Sequence, residues 1–338
     1  MRRIWVSITP ILILFFILLH QLCGQVDTSQ GNLRVLSYSV FLNSWGPGPI
    51  IAQKFYEKYG LRIEFIDAGE AGLLTQKLKI FKADVVLGLD QIGILQAGTT
   101  QKWLSLSKAP EKPPEKSPEK FHAKYSTEFF QAIDWAPMTF VFRKSEMQAP
   151  RNLDELLEQK FAKKISIADP RTSTAGLQFL FWLIKIKGFD FLRKIKNSIG
   201  FVGSSWSAAY GHFQKKHSAV TFSYLTSPVY HWNEEKNFDY QAVVLEEPVP
   251  IQVEFVAIPE GAAHPELAKK FVDFLLQDEI QKILMQKNFM LPMNPALTAG
   301  SPFAELPPLK TLAVDALDEF YQDRERILSR WQVLWNEL

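Results

Sequence analysis

Cysteine and histidine, two residue types that commonly carry catalysis, are few in this 338-residue chain, which has one cysteine and six histidines. Its single cysteine is Cys23, so the chain beyond it holds neither a cysteine nucleophile nor a cysteine-based metal site. The later histidines show no metal-ligand spacing along one helix and no paired nucleophile; they are His122, His212, His217, His231 and His264. This pattern argues against a hydrolase, and we expect neither a metal site nor a cofactor.

Hydroxyl side chains stand immediately before an apolar helix that we predict over residues 177–186. They form the run 172–174, which follows a predicted strand at 165–168. Such hydroxyls cap helices, and the free amides of a first helical turn also attract anions. Capping or ligand contact therefore explains Ser173, and the residues taken alone favour capping.

Strand and helix patterns alternate through the first part of the chain. Apolar runs predict strands, and helical spacing predicts helices at 49–59 and 72–81. Alternation of this kind indicates a parallel sheet, in which ligands collect beyond the carboxyl ends of the strands. The predicted strands are 33–38, 61–66 and 83–89. The first candidates for a site are therefore the residues just after Tyr38, Ile66 and Leu89.

A second alternating set follows. We predict strands at 139–142, 165–168, 219–224, 240–245 and 251–258, and helices at 152–161, 265–287 and from about 312 to the end. The strand at 251–258 is expected to return the chain to the first set. Apolar stripes along the last two helices, such as Phe271 with Phe274, indicate core packing.

Length and charge limit the possible functions. A chain of 338 residues is too long for one ordinary core, so we expect two lobes. The formal net charge is +2, from 38 basic and 36 acidic residues, and it provides no global basic field of the kind that gathers nucleic acid. Nucleic acid is therefore excluded as an expected partner.

The first 23 residues read as an export signal. Arg2 and Arg3 precede an apolar run at 11–19, and polar residues follow. An uncleaved membrane helix over 4–22 is the alternative, since that stretch approaches the ~20 residues needed to cross a bilayer. Cys23 ends the apolar run, and its position leaves lipid attachment open.

Residues 108–120 contain Pro-Glu-Lys three times. Proline removes amide donors and blocks helix formation, while the charges keep the backbone in water. We expect a solvated loop here and leave its role open.

Four sequence blocks resemble the thiamine-binding periplasmic proteins of ABC importers. The blocks stand in the family's order and at comparable spacing, and the similarity spans roughly residues 33–335. They are 38–49 with Trp-Gly-Pro-Gly-Pro at 45–49, 83–90 (Ala-Asp-Val-Val-Leu-Gly-Leu-Asp), 169–174 (Asp-Pro-Arg-Thr-Ser-Thr), and 206–211 continuing to 223–231. Any one block is a weak signal, but four in order make a specific one.

The resemblance implies a set of ligand-binding residues by position. The matching positions are Tyr38, Trp45, Ser173, Trp206, Tyr224 and Tyr230. Two further positions depart from the family pattern: Phe289 stands where tryptophan is usual, and Glu70 lies where the family tends to place an aspartate. These departures bear on affinity and on the preferred phosphorylation state.

The resemblance also implies the fold and the biological role. The fold is an α/β, two-lobed periplasmic-binding-protein fold of type II character, in which each lobe is a mixed, mainly parallel sheet flanked by helices and the ligand lies between the lobes. We expect lobe 1 at 33–138 with 256–338 and lobe 2 at 139–255, joined by crossing segments near 139–144 and 252–258. The implied protein is a periplasmic monomer that delivers thiamine or its phosphates to an ABC permease.

Ring faces suit this ligand because thiamine carries a permanent positive charge and a flat aminopyrimidine. A cation over an aromatic face gains roughly 0.5–2 kcal/mol. The same superfamily includes ferric-iron carriers, which use paired tyrosines, and polyamine carriers; both remain alternatives. Enzymes resembling this family cut thiamine with a cysteine nucleophile, and the absence of cysteine after Cys23 argues against that reading.

Overall fold

The computed structural model describes residues 32–106 and 125–336. The expected export signal at 1–23, including Cys23, and the Pro-Glu-Lys segment at 108–120 lie outside the described residues. Within the described ranges, no helix is both long enough and apolar enough to cross a bilayer.

Strands and helices alternate in the first part of the chain, as predicted, with shifts at the element ends. The elements are β1 (Leu33–Ser37), α1 (Ser39–Leu42), α2 (Pro47–Tyr59), β2 (Ile63–Asp67), α3 (Leu74–Leu78), β3 (Val85–Asp90) and α4 (Gln91–Thr100). Helix α2 begins at Pro47, where a missing amide costs no hydrogen bond, and Gly60, with a left-handed φ of 69°, caps its carboxyl end. A 3-10 turn at Ala71–Leu73 shortens the next helix.

The second part holds the remaining elements. They are β4 (Gln131–Arg143), β5 (Ile165–Ala168), α5 (Thr174–Lys187), α6 (Phe189–Ile195), β6 (Ile199–Gly203), α7 (Trp206–Gln214), β7 (Val220–Tyr224), α8 (Ser227–Glu234), β8 (Tyr240–Ala242), β9 (Ile251–Ala257), α9 (Pro265–Leu275), α10 (Asp278–Lys287), β10 (Leu291–Pro292) and α11 (Arg324–Asn336).

Three helix predictions were wrong in detail. In place of a helix at 152–161 the chain forms two 3-10 turns, Asp154–Leu157 and Gln159–Phe161, because Glu158 between them has an extended backbone with ψ of 150°. The predicted helix at 265–287 is split into α9 and α10 by Gln277, whose ψ is 140°. The last α-helix begins at Arg324, well after the predicted start near 312.

The strands of the described chain join in one hydrogen-bonded path with the order β2-β1-β3-β9-β4-β7-β5-β6, and β8 and β10 pair with β4. The pairs β1–β2, β1–β3, β5–β6 and β5–β7 are parallel, whereas β9 and β4 run antiparallel to their neighbours. The expected mixed α/β architecture is confirmed.

Strand β4 changes partners in its middle. Its residues 131–137 pair with β9, and its residues 138–142 pair with β7. The change falls between Pro137, whose carbonyl accepts the Leu225 amide at 2.9 Å, and Met138, whose amide donates to the Pro250 carbonyl at 2.8 Å. The chain therefore crosses between the two sets of strands here, slightly before the predicted segment at 139–144.

Apolar side chains form separate cores around the two sets of strands. Two clusters surround β1, β3 and β9, with Phe55 and Phe271 among their fully buried members. A third cluster surrounds β5 and β7 and includes Trp182. The C-terminal segment differs from our expectation, because Trp331 and Leu334 of α11 pack in this third cluster rather than with the first set.

Candidate functional site

A cavity of about 580 Å³ is lined by residues from both sets of strands. All eight positions named from the sequence line it: Tyr38, Trp45, Glu70, Ser173, Trp206, Tyr224, Tyr230 and Phe289. Residues more than 250 positions apart in the chain therefore meet around one space. Its size is within the range that proteins use for small organic ligands.

Three rings form an aromatic cluster in the cavity lining: Trp206, Tyr210 and Tyr224. Trp206 opens α7 and stacks on Tyr210 with ring centroids 5.2 Å apart, while the Tyr224 ring is 5.8 Å away. The indole Nε1 of Trp206 donates to the Ser223 hydroxyl at 2.9 Å, which fixes the ring plane. The cluster offers rigid aromatic faces whose polar groups are already hydrogen-bonded.

A hydrogen-bonded chain, buried at Tyr210 and His231 and exposed at Glu235, holds Tyr210 in place from behind. Its hydroxyl lies 2.9 Å from Nε2 of His231, and Nδ1 of His231 lies 2.7 Å from the Glu235 carboxylate. Burial lowers the pKa of His231, although the Glu235 carboxylate opposes this effect. The His231 ring also stacks on Tyr240 at 3.5 Å, so this histidine serves to position Tyr210.

Two further rings meet at the cavity edge. Tyr230 and Phe289 contact edge to face at 5.5 Å. Phe289 has a left-handed φ of 54°, a conformation that costs a non-glycine residue of order 1–3 kcal/mol and often marks functional positions. Trp45, on the loop before α2, is 57% exposed and packs least.

Tyr38 reaches the cavity because Gly88 leaves room for its ring. A Cβ on Gly88 would come within 2.4 Å of the ring carbon Cε1, and Gly88 itself has a φ of 98°. The Tyr38 ring packs edge to face on Phe41 at 5.8 Å. Its hydroxyl lies 2.9 Å from Oε2 of Glu254 and 3.1 Å from Oδ1 of Asn288.

We name Tyr38, Asp134, Glu254 and Asn288 the acid cluster. Asp134 on β4 and Glu254 on β9 are cross-strand partners, and both carboxyls are buried. The Asn288 amide lies between them and donates to Oδ2 of Asp134 at 3.0 Å. The second oxygen of Asp134, Oδ1, has no hydrogen-bond partner. None of the ion pairs in the described part of the chain includes Asp134 or Glu254, so neither carboxyl group has a cationic partner there.

Burial sets the protonation of this cluster. It raises the pKa of Asp134 to about 7, against the opposing amide of Asn288. Burial, together with the charge of Asp134, raises the pKa of Glu254 well above its usual range. The pKa of Tyr38 is also raised, chiefly by burial and then by Glu254, so its hydroxyl remains a donor.

The start of α5 also borders the cavity through Ser173, Thr174 and Ala175. Ser173 occupies the N-cap position, but its side chain makes no capping hydrogen bond, so capping as its explanation was wrong. The Thr172 hydroxyl is not free to donate to a ligand, because it donates to the Ser204 carbonyl at 2.7 Å. The Ser173 hydroxyl and the first amides of α5 are thus available to an anion.

Charged side chains in the lining are mostly acidic. Glu70, Glu234 and Glu254 line the cavity together with one ammonium, that of Lys287. Glu70 is half-buried, and burial raises its pKa. No group of three or more histidine, cysteine or acidic residues suited to a metal ion occurs within residues 32–106 and 125–336. Acidic side chains together with aromatic ring faces suit an organic cation.

Sequence reasoning missed several lining residues, among them Tyr210, Gln252, Glu254, Lys287 and Asn288. Glu254 carried a readable signal, because it is the single charged residue in the buried strand Ile251–Ala257. A carboxylate inside such a strand needs a partner, which points to a site. Tyr210 gave no such signal, since aromatic residues are common in helices that pack on a core.

Three comparisons place the chain among known proteins. Residues 51–311 match the family described as "Bacterial extracellular solute-binding protein". The chain is 31% identical to the thiamine-binding periplasmic protein of Salmonella typhimurium, over 92% of this chain and 95% of the relative. It is 32% identical to the Haemophilus influenzae protein of that name, over 78% and 80%.

Solved structures agree with these relatives. A periplasmic thiamin binding protein superposes with a TM-score of 0.78 at 30% identity, over 90% of this chain and 96% of that one. A ferric binding protein from Campylobacter jejuni gives 0.71 at 16% identity, over 88% and 99%, which shows a shared fold alone. The fold expected from the sequence, that of the two-lobed periplasmic binding proteins, is confirmed.

Proposed function

Since the chain belongs to the bacterial extracellular solute-binding protein family, we propose that it captures thiamine and thiamine phosphates and delivers them to an ABC permease. The observation that carries this proposal is the cavity itself. It combines the Trp206 aromatic cluster with an acidic lining and with the open start of α5. These parts match a flat cationic ligand with an optional anionic tail.

Different residues of the site bind different parts of the ligand. The rings of Trp206, Tyr210 and Tyr224 hold the flat heterocycles, and Glu254 supplies negative charge for the thiazolium. When a phosphate is attached, it meets the Ser173 hydroxyl and the amides of α5. The chain binds this ligand without altering it, in keeping with relatives that are binding proteins.

Ligand capture proceeds by closure of two lobes around the cavity. The crossing at Pro137 and Met138 of β4, where the strand exchanges β9 for β7, supplies one hinge segment. Closure requires the ligand to bind the closed form more tightly than the open one. Small-angle scattering should show a more compact protein when thiamine is bound; tight binding with an unchanged profile contradicts closure.

Localisation and oligomeric state are inferred from the same family. We propose that the chain works as a monomer in the periplasm, with residues 1–23 directing its export. Mass measurement of the amino terminus of the exported protein distinguishes cleavage, lipid attachment at Cys23 and an uncleaved anchor.

A thermal-shift panel tests the function. Thiamine, its monophosphate, its diphosphate, ferric iron and spermidine are compared at equal concentration. A ligand present at 100 times its Kd adds about 2.7 kcal/mol of apparent stability. We expect a shift with thiamine or a thiamine phosphate and none with iron or spermidine; the opposite ranking would replace the proposal with an iron or polyamine carrier.

A further inference from the structure

The acid cluster contains more hydrogen-bond acceptors than donors when both of its acids are ionised. One phenol hydrogen of Tyr38 faces both oxygens of Glu254, at 3.1 and 2.9 Å, and Oδ1 of Asn288, at 3.1 Å. A proton on Glu254 resolves this shortage. Glu254 then donates to the Tyr38 oxygen, and Tyr38 donates to Asn288.

The backbone forces the two acids together. Asp134 and Glu254 stand directly opposite each other on antiparallel strands, where like charges repel. Asp134 is fully buried and Glu254 is 6% exposed, so water screens little of that repulsion. Such a pair either shares a proton or is neutralised by a cation.

The other titratable neighbours do not supply that cation. Asp90 at the end of β3 acts on Glu254 with further negative charge, and Tyr224 on β7 is a neutral phenol whose pKa is itself raised, first by burial and then by Glu254. Lys287 of α10 lines the same cavity but forms no ion pair with Asp134 or Glu254.

We propose that Asp134 and Glu254 share one proton in the empty protein and release it to solvent when a cationic ligand enters the cavity, so that cation binding is an exchange for a proton. Glu254 lines the cavity. Asp134 lies behind it and acts through Glu254 and Asn288 as a positioning residue. This inference rests on the proposed function, since it takes the thiazolium as the entering cation.

The proton exchange predicts that only positively charged ligands bind in a pH-dependent way. A ligand of the same shape without positive charge cannot displace the proton, so it binds equally well at acidic and neutral pH. The charged ligand binds more tightly as pH rises, because less work is then needed to ionise the pair. Glu254 and Asp134 would thus select for charge, whereas the aromatic cluster selects for flat shape.

Titration calorimetry with thiamine from pH 5.5 to 8.5 tests the exchange, run in two buffers that differ in ionisation enthalpy. The matched probe is an uncharged thiamine isostere with a thiophene in place of the thiazolium, because it carries the same aminopyrimidine. We expect thiamine affinity to rise by up to about tenfold per pH unit between pH 5.5 and 7.5, with a buffer-dependent heat that reports proton release. The isostere should show neither effect.

A variant of Glu254 and a matched control test whether this carboxyl group causes the pH dependence. Glu254→Gln should weaken thiamine binding about tenfold or more at pH 7.5, remove its pH dependence and leave isostere affinity nearly unchanged. Glu260→Gln, an exposed carboxylate just beyond β9, is the matched control and should behave as wild type. The wild-type pH series decides the question even if Glu254→Gln fails to fold.

Two results overturn the exchange at different levels. Thiamine affinity that is independent of pH, or a pH dependence that the isostere shares, contradicts the proton exchange and leaves the proposed function intact. Absence of thiamine binding at every pH removes the proposed function and the exchange together.

Discussion

Two groups of side chains meet in the cavity, and they differ in how they are held. The acid cluster joins the buried carboxyls of Asp134 on β4 and Glu254 on β9 to Tyr38, which follows β1, and Asn288, which follows α10. The aromatic cluster comes from α7 and β7, and its rings stack on one another with their polar atoms paired. The acid cluster therefore holds two carboxyl groups that destabilise each other when both are ionised. The aromatic cluster is stable without ligand.

Because the two clusters are held differently, substitutions in them should have different effects. Removing a buried acid should stabilise the empty protein while weakening cation binding. Removing an aromatic ring should weaken binding of every flat ligand, charged or uncharged. The four predictions below test this separation, starting with the largest expected effect.

Asp134→Asn should raise the free energy of unfolding by about 4 kcal/mol at pH 8 and by less than about 1 kcal/mol at pH 4. Burial raises the pKa of Asp134 to about 7, so the folded protein keeps this proton to higher pH than the unfolded chain does. The wild-type protein therefore loses stability as pH rises from about 4 through 7, whereas the asparagine variant, which does not ionise, keeps it. Urea unfolding of both proteins at both pH values measures the difference in the free energy of unfolding.

Asp190→Asn provides the control for that experiment, because the Asp190 side chain is 89% exposed. Its stability should track wild type at both pH values. An Asp134→Asn variant that is less stable than wild type at pH 8 would show that the buried carboxylate stabilises the fold.

Trp206→Ala should weaken thiamine binding about tenfold or more, since it removes a ring face together with the packing of Tyr210 and Tyr224. Trp206→Phe keeps a ring and should lose less. Calorimetry with thiamine and with its uncharged isostere should show a loss for both. A loss confined to the charged ligand would assign the ring to charge recognition alone.

Ser173→Ala should weaken thiamine monophosphate binding roughly three- to fivefold and leave thiamine itself unaffected. The hydroxyl makes no capping bond, so its removal takes one donor from the phosphate and nothing from the helix. Comparing the two ligands in one titration series isolates the effect. Equal losses for both ligands would place Ser173 against the heterocycles.

Phe289→Trp should produce the smallest change, a gain in thiamine affinity of about twofold. It restores the ring that the family usually carries, next to Tyr230 at the cavity edge. Phenylalanine and tryptophan meet a similar steric cost at the left-handed φ of 54° found there, so we expect the exchange to keep the backbone. A marked loss of affinity would mean that the cavity edge has no room for the larger ring.

Members of both clusters differ in how far the sequence reveals them. Trp206 and Tyr224 of the aromatic cluster and Tyr38 of the acid cluster stand at strand ends or helix starts inside recognisable blocks, so pattern and resemblance located them. Asp134 and Glu254 lie within buried strands, and their pairing depends on the antiparallel register of β4 with β9. Local sequence does not specify which strands become neighbours, so this part required the structure.

The same limit applies to the fold. Apolar periodicity predicted most strands, including β5 at its observed bounds. It failed at Gln277, where one extended residue splits a continuous apolar stripe into two helices. It also failed for α11, because its stripe shows that the helix packs but not which core it packs against.

Titration of the exported, purified chain with thiamine, followed by mass analysis of the ligand afterwards, tests the central claim most directly. The account predicts one thiamine bound per chain and recovered intact, with binding weakened about tenfold or more in Trp206→Ala. Failure to bind thiamine in any phosphorylation state, or recovery of a cleaved product, would contradict it.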